Sequence, residues 1–168
     1  MLRKGLVVYR VWGLKEGQLC SQSRPYLWRR YGNMARCEPS TKSVSPCEGG
    51  NVPNAACQSD YGCGLWGFTK PEQALRRISE WQNRQVIGIT LAWDHIIRLK
   101  DGCIRAAWMD VWAFASVPYL YPSQRDAPYL AEAEHTRDAL EVPYAELWDK
   151  VDVVPWLVNM AQMLDSEP

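Results

Sequence analysis

Apolar residues along this chain recur with two different periods, and the periods assign the elements. Residues 6–12 (Leu-Val-Val-Tyr-Arg-Val-Trp) are β-branched or aromatic and stop at Gly13, which predicts an opening strand. The short apolar run 65–68 predicts another. Thr69 then stands where a helix cap belongs, with Pro71 and Glu72 in the first turn; Ala74, Leu75, Ile78 and Trp81 follow at helical spacing, so an amphipathic helix should lie against the sheet and end at 82–84. Residues 86–93 and 96–99 are again β-branched and apolar. Lys100-Asp101-Gly102 supplies an Asp-Gly turn before a second arm at 103–114, which predicts a tryptophan-rich β-hairpin.

After Ala115 the chain is too rich in Pro and Tyr for regular structure, and 116–130 reads as a linker or lid. Helical patterns follow at 131–140, 143–148 and 155–164. In the last, Trp156, Leu157, Met160, Met163 and Leu164 form one apolar stripe. The expected fold is therefore α+β: a single domain over 1–168, with a mixed or antiparallel sheet, flanking helices, and C-terminal helices over 131–168.

The segment 35–64 has neither period. It is dominated by Ser, Pro, Gly, Asn and Cys, and a loop of this length needs a function or a cross-link to offset its ordering entropy. Cys37, Cys47, Cys57 and Cys63 fall within it, separated by nine, nine and five residues. Four thiolates match a tetrahedral zinc site, which would supply the ordering energy directly, although the close C-x-x-C pairs of common structural sites are absent. His95 is a possible replacement ligand for Cys47.

Composition changes this picture in two respects. Nine tryptophans are many for 168 residues; each brings a large ring and an indole N–H that needs a partner, so they belong in a Trp-lined core or on an aromatic surface. Formal charge is zero overall, yet residues 1–42 carry nine Lys and Arg against two acids, a net +7, while 110–168 carry eleven acids against three bases, a net −8. Such asymmetry arises when the two ends pack together, or when a basic surface meets an acidic partner. Arg10 interrupts the first apolar stretch, so the start does not read as a signal peptide, and no apolar run approaches the roughly 20 residues that cross a bilayer. A cytoplasmic protein without a membrane partner is expected, its six cysteines reduced or metal-bound.

Two further constellations carry chemistry. Cys63 lies between Gly62 and Gly64, whose backbone N–H groups can approach an oxyanion. His95 and His135 are candidate bases, with Asp94 and Glu134 beside them, so a cysteine nucleophile is conceivable. Arg24, Arg29, Arg30 and Arg36 interleave with Tyr26, Trp28 and Tyr31, a combination able to grip phosphates while stacking bases or to meet a partner; solvated arginines around a core-facing Trp28 are the plainer reading. Walker, Rossmann and H-E-x-x-H patterns are absent.

Ala35-x-Cys37, then Cys63-Gly64-Leu65-Trp66-Gly67, a helix, Val86-x-Gly88, Trp93-x-x-Ile96 and Gly102-x-x-Arg105-Ala106 together resemble small bacterial proteins of actinobacteria and their mobile elements. Their pattern runs A-x-C, C-G-I-Y-A, V-x-G with W-G-x-V, then G-[FY]-R-A. The likeness spans about 35–107, with Leu65-Trp66-Gly67 in place of I-Y-A, Asp94 in place of glycine, and one extra residue before Arg105. It implies a bacterial or phage origin and supplies no catalytic residue. Tyr9-Arg10 on an opening strand also resembles the first element of ADP-ribosyl-transfer folds. The favoured expectation is an intracellular, non-catalytic binding or regulatory protein with a protein partner and zinc at the cysteine loop; a transferase or hydrolase using Cys63 is the alternative, and nucleic-acid binding a further one.

Overall fold

A computed structural model describes residues 5–21, 27–34, 64–78, 84–120 and 127–166. The strands are β1 (Leu6–Lys15), β2 (Gln18–Cys20), β3 (Asn33–Met34), β4 (Leu65–Phe68), β5 (Gln85–Trp93), β6 (Ile97–Arg98), β7 (Cys103–Ala106), β8 (Trp108–Ser116) and β9 (Tyr144–Glu146). The helices are α1 (Pro71–Ile78), α2 (Ala127–Leu140) and α3 (Val153–Ser166), with single 3-10 turns at Pro118–Leu120 and Lys150–Asp152.

All nine strands join one sheet, in the order β3-β8-β5-β1-β4-β7-β6, with β2 added to β1 and β9 to β8. Pairing is antiparallel except for β9, which runs parallel to β8. The α+β expectation holds. So does the predicted opening strand, which extends three residues past Trp12 before Glu16-Gly17 turns it back into β2.

The hairpin is present but bent. Its arms pair Val86 with Ser116 through Trp93 with Trp108, then resume with Ile97 against Arg105 and Arg98 against Ile104. Between the two registers Asp94, His95 and Ile96 on one arm stand against Ala106 and Ala107 on the other. Asp94 and His95 both have left-handed backbones (φ 58° and 45°), which turns the strand sharply, and the Ala107 N–H donates to the Asp94 carbonyl at 3.2 Å. Below the bend β5 pairs with β1; above it β7 pairs with β4, which itself pairs with β1. A continuous hairpin can border both ends of that series only if the sheet curls back on itself, so the strands form a partly closed barrel.

Both sheet faces are covered, and this explains why every residue from Gln85 to Ala92 is buried. On one face Val8, Trp12, Val86 and Phe114 pack with Tyr129, Ala133 and Leu140 of α2. On the other, Tyr9, Val11, Ile87, Ile89 and Leu91 pack with Ala74 and Ile78 of α1 and with Leu157, Ala161 and Leu164 of α3. A bulge in β8 sets this division: Ile89 faces Ala113 while Thr90 faces Val111, so Trp112 is the extra residue, and it turns Phe114 into the first core. The buried Tyr129 hydroxyl accepts from the Val117 N–H (2.9 Å) and donates to the Gln85 carbonyl, tying α2 to both central strands.

One expected helix is a strand. Pro143 and the following pattern predict a helix over 143–148, whereas Tyr144–Glu146 form β9 and Trp148 lies outside any helix. The reason is the open edge of β8: its Phe114 N–H donates to the Pro143 carbonyl (3.2 Å) and its Ser116 hydroxyl bonds the Tyr144 hydroxyl (2.8 Å), so satisfying an existing sheet edge outweighs one helical turn. Within the expected linker or lid at 116–130, Ser116, Val117 and Pro118 are buried against the sheet and Ala127 already begins α2; residues 121–126 lie outside the described residues.

Candidate functional site

The bend of the hairpin is also where the cysteine-bearing segment is attached. Met34, the last described residue before it, pairs with Trp108; Leu65, one residue after Gly64, pairs with Ala106. Both flanks of 35–63 are thus tied to positions two residues apart on one strand run, on either side of Ala107. Cys37, Cys47, Cys57 and Cys63 themselves lie outside the described residues. In sequence, Cys37 is three residues from Met34 and Cys63 two residues from Leu65.

Opposite Ala107 stand Asp94 and His95. His95 Nδ1 lies 2.7 Å from Asp94 Oδ1. A carboxylate can only accept, so Nδ1 carries the proton, and in the neutral ring Nε2 keeps its lone pair. This is how a carboxylate prepares a histidine to ligate a metal or to take a proton from a nucleophile. Two consecutive left-handed residues, neither glycine, cost about 1–2 kcal/mol each, strain that survives only where the surroundings impose it.

Those surroundings are densely bonded. Trp93 stacks on Trp108 with ring centroids 4.9 Å apart and planes within 5°. The Trp93 indole N–H donates to Asp110 Oδ2 (3.1 Å), while Asp110 Oδ1 accepts the Gly32 N–H (2.7 Å), so a single carboxylate clamps the indole to the turn that leads into β3. Asn33 locks the same turn, donating to the carbonyls of Arg29 (2.7 Å) and Met109 (3.0 Å).

His135 is elsewhere. Its ring packs where a Cβ on Gly17 would stand, in the β1–β2 turn, and Gly17 donates its N–H to Glu132 of α2 (3.1 Å). The bend adjoins the other end of β1, where Leu6 pairs with Ala92, so a ten-residue strand, about 30 Å long when extended, separates the bend from the turn that His135 packs against. The structure sets His95, but not His135, at the bend beside which the described flanks Met34 and Leu65 pair.

Of the basic aromatic set, Trp28, Arg29 and Arg30 come together; Arg24 and Arg36 lie outside the described residues. Trp28 is only 3% exposed, packed edge-on against Trp12, with the Arg10 guanidinium 4.3 Å over its ring and its N–H donated to Ser21 (2.9 Å). Its ring is closed to a nucleic-acid base. Arg10 is likewise engaged, donating to the Trp66 carbonyl and to Ser21 (3.2 Å), so its guanidinium fills the fork where β2 and β4 leave β1. Arg29 and Arg30 edge a groove of about 410 Å³ whose walls include Leu19, Leu27, Ala139 and Leu140.

The two described cysteines are poor nucleophiles. Burial, then its hydrogen bond to Asp101, pushes the Cys103 thiol up to about 11, and burial raises Cys20. Among the described residues no three His, Cys, Asp or Glu side chains converge as a metal site, and no helix is long and apolar enough to cross a membrane. No protein-family model, curated protein or solved structure matches the chain.

The left-handed pair was the least visible feature in the sequence, since neither residue is glycine. The only signal was the polar pair Asp94-His95 interrupting two apolar strand patterns.

Proposed function

We propose that the chain is a non-catalytic binding and regulatory protein of a reducing compartment, in which zinc fastens the cysteine-bearing segment over the bend of the hairpin. Cys37, Cys57 and Cys63 are its thiolate ligands, with Cys47 or His95 completing the four. The observation that carries this reading is the Asp94–His95 hydrogen bond at the point to which both flanks of the segment are tied. Zinc would contribute the energy that a long Ser-, Gly- and Pro-rich segment cannot obtain from a core. The bound segment then forms, with the Trp93–Trp108 wall, the surface a protein partner meets.

A second reading uses the same pair: His95 as the base and Asp94 as its orienter for a Cys63 nucleophile. Exposure favours the ligand. The His95 and Asp94 side chains are 57% and 48% exposed, and a general base acts best in a site that excludes water, whereas a structural metal ligand needs only the lone pair. Alkylation separates the two. With zinc bound, the loop thiols should resist iodoacetamide until a chelator is added, and His95→Ala should expose them earlier. Rapid alkylation of Cys63 alone, indifferent to chelator and slowed by His95→Ala, would overturn the zinc reading in favour of the nucleophile.

A further inference from the structure

β9 covers one edge of β8 and leaves its own outer edge open. The Phe114 N–H donates to the Pro143 carbonyl (3.2 Å) and the Leu147 N–H to the Ser116 carbonyl (3.0 Å), so residues 143, 145 and 147 turn their backbone toward β8. Alternation along the strand then turns the N–H and C=O groups of Tyr144 and Glu146 the other way. Among the described residues no strand pairs with that edge, and nothing bonds these four groups. The outer edge of β2, by contrast, is taken: the Leu19 carbonyl accepts the Trp28 N–H (2.9 Å) and Cys20 bridges to Leu27. Just past β9 stand Trp148 and Val151, 61% and 72% exposed. Unbonded backbone groups beside exposed apolar side chains are a template for an added strand.

Charge decides what kind of strand. Tyr144 packs against Phe114 on the α2 side of the sheet, and Glu146, two residues on, shares its face. Burial, and after it the carboxylates of Glu146 and Glu134, raise the Tyr144 hydroxyl, while its bond to Ser116 and the nearby Arg137 lower it, so two acids and one base act on this side chain. The base is already matched: Arg137 lies over the Tyr144 ring (5.8 Å) and pairs with Asp138 (2.8 Å). Glu141 is matched by Arg30 (3.5 Å), whereas Glu134 and Glu146 form no ion pair among the described residues. The turn that follows adds Asp149 and Asp152 against Lys150. A second copy adding its own β9 would set another Glu146 opposite Tyr144 and beside Glu134, which like charge disfavours. We propose that the open edge of β9 takes up an extended segment of a partner protein as an antiparallel strand, with Lys or Arg opposite Tyr144 and Glu146. In an antiparallel pair, opposed residues that exchange hydrogen bonds also point their side chains to the same face, so the partner residues that bond the four free groups are those whose side chains reach the two glutamates. The site lies at the end of β8 away from the bend and does not depend on zinc.

Labelled peptides titrated with the full chain and read by fluorescence anisotropy test it. The probe is the peptide Lys-Val-Lys-Val-Lys-Val, with Glu-Val-Glu-Val-Glu-Val as its opposite. The lysine peptide should bind in the roughly hundred-micromolar range of a short strand contact, and the glutamate peptide should not. Methylating the backbone nitrogens of the lysines removes the donors that face β9 and should abolish binding, whereas methylating those of the valines should leave it. Glu134→Gln with Glu146→Gln, its fold verified by circular dichroism, should weaken the lysine peptide several-fold. No binding of the lysine peptide up to about 1 mM would overturn the proposal. So would equal binding of the glutamate peptide, or lysine-peptide binding indifferent to which nitrogens are methylated, since that marks charge attraction without strand addition. Dimers of the native chain in sedimentation velocity that the lysine peptide dissolves would put a second copy on the edge and overturn it as well.

Discussion

His95 pays a conformational penalty where it stands, and the penalty can be measured. At φ 45° a glycine would be free of the steric strain that a β-carbon suffers there, so in metal-free protein His95→Gly should raise stability by about 1 kcal/mol, while in zinc-loaded protein it should lower it. Opposite signs in urea melts with and without chelator are the expected result; a stabilisation unaffected by metal would remove His95 from the ligand set. Cys103 makes a second prediction. Its thiol is raised from the ordinary 9.0 to about 11 by burial first and by Asp101 second, so at pH 8 it should alkylate far more slowly than an unfolded cysteine, and Asp101→Ala should speed the reaction. Because the unfolded thiol loses its proton before the folded one, Cys103 favours the native state below pH 9, and that contribution fades as pH rises from 9 toward 11. At this scale the sequence made Asp94 and His95 visible as adjacent polar residues. Their left-handed backbones were not visible, because neither residue is glycine. Trp28 was legible: the plainer reading was a core-facing ring among arginines, and the ring is packed against Trp12 and Arg10.

Elements followed their periods wherever one face meets one core. β1 alternates Val8 and Trp12 toward α2 with Tyr9 and Val11 toward α1 and α3, and α1 buries Ala74 and Ile78 as its spacing predicts. The two departures share a cause: long-range pairing overrode a local signal. The Asp-Gly turn does close a hairpin, but the arms bend at Asp94-His95 because their tip must reach β4. Pro143 announces a helix, but the free edge of β8 takes the chain as β9. A buried hydroxyl anchors α2 to the sheet. Tyr129→Phe removes the hydroxyl that serves both Val117 and Gln85, leaving a buried N–H without its acceptor, and should cost about 1–3 kcal/mol in denaturant unfolding. A change within the error of such melts would show that packing of Ala133 and Leu140, and not this anchor, holds α2 on the sheet.

As a whole, the described part of the molecule is a curled sheet between two helical layers, with the Asp94–His95 pair at the bend of the hairpin. Composition announced part of this: the charge asymmetry is real in the sequence, and among the described residues the basic and acidic ends meet where Arg30 pairs with Glu141. Nothing in the spacing of the cysteines could announce that the residues flanking their segment, Met34 and Leu65, pair with Trp108 and Ala106, since that follows from registers made by residues distant in sequence. The claim on which the functional account rests is that this segment is closed by a metal at that corner. Native mass spectrometry of the full chain, before and after a chelator, tests it most directly. One zinc ion per chain, lost on chelation and reduced in occupancy by Cys63→Ser and by Asp94→Ala, is the predicted result; a chain that carries no zinc when purified in its presence, with all four loop thiols freely alkylated, would contradict it.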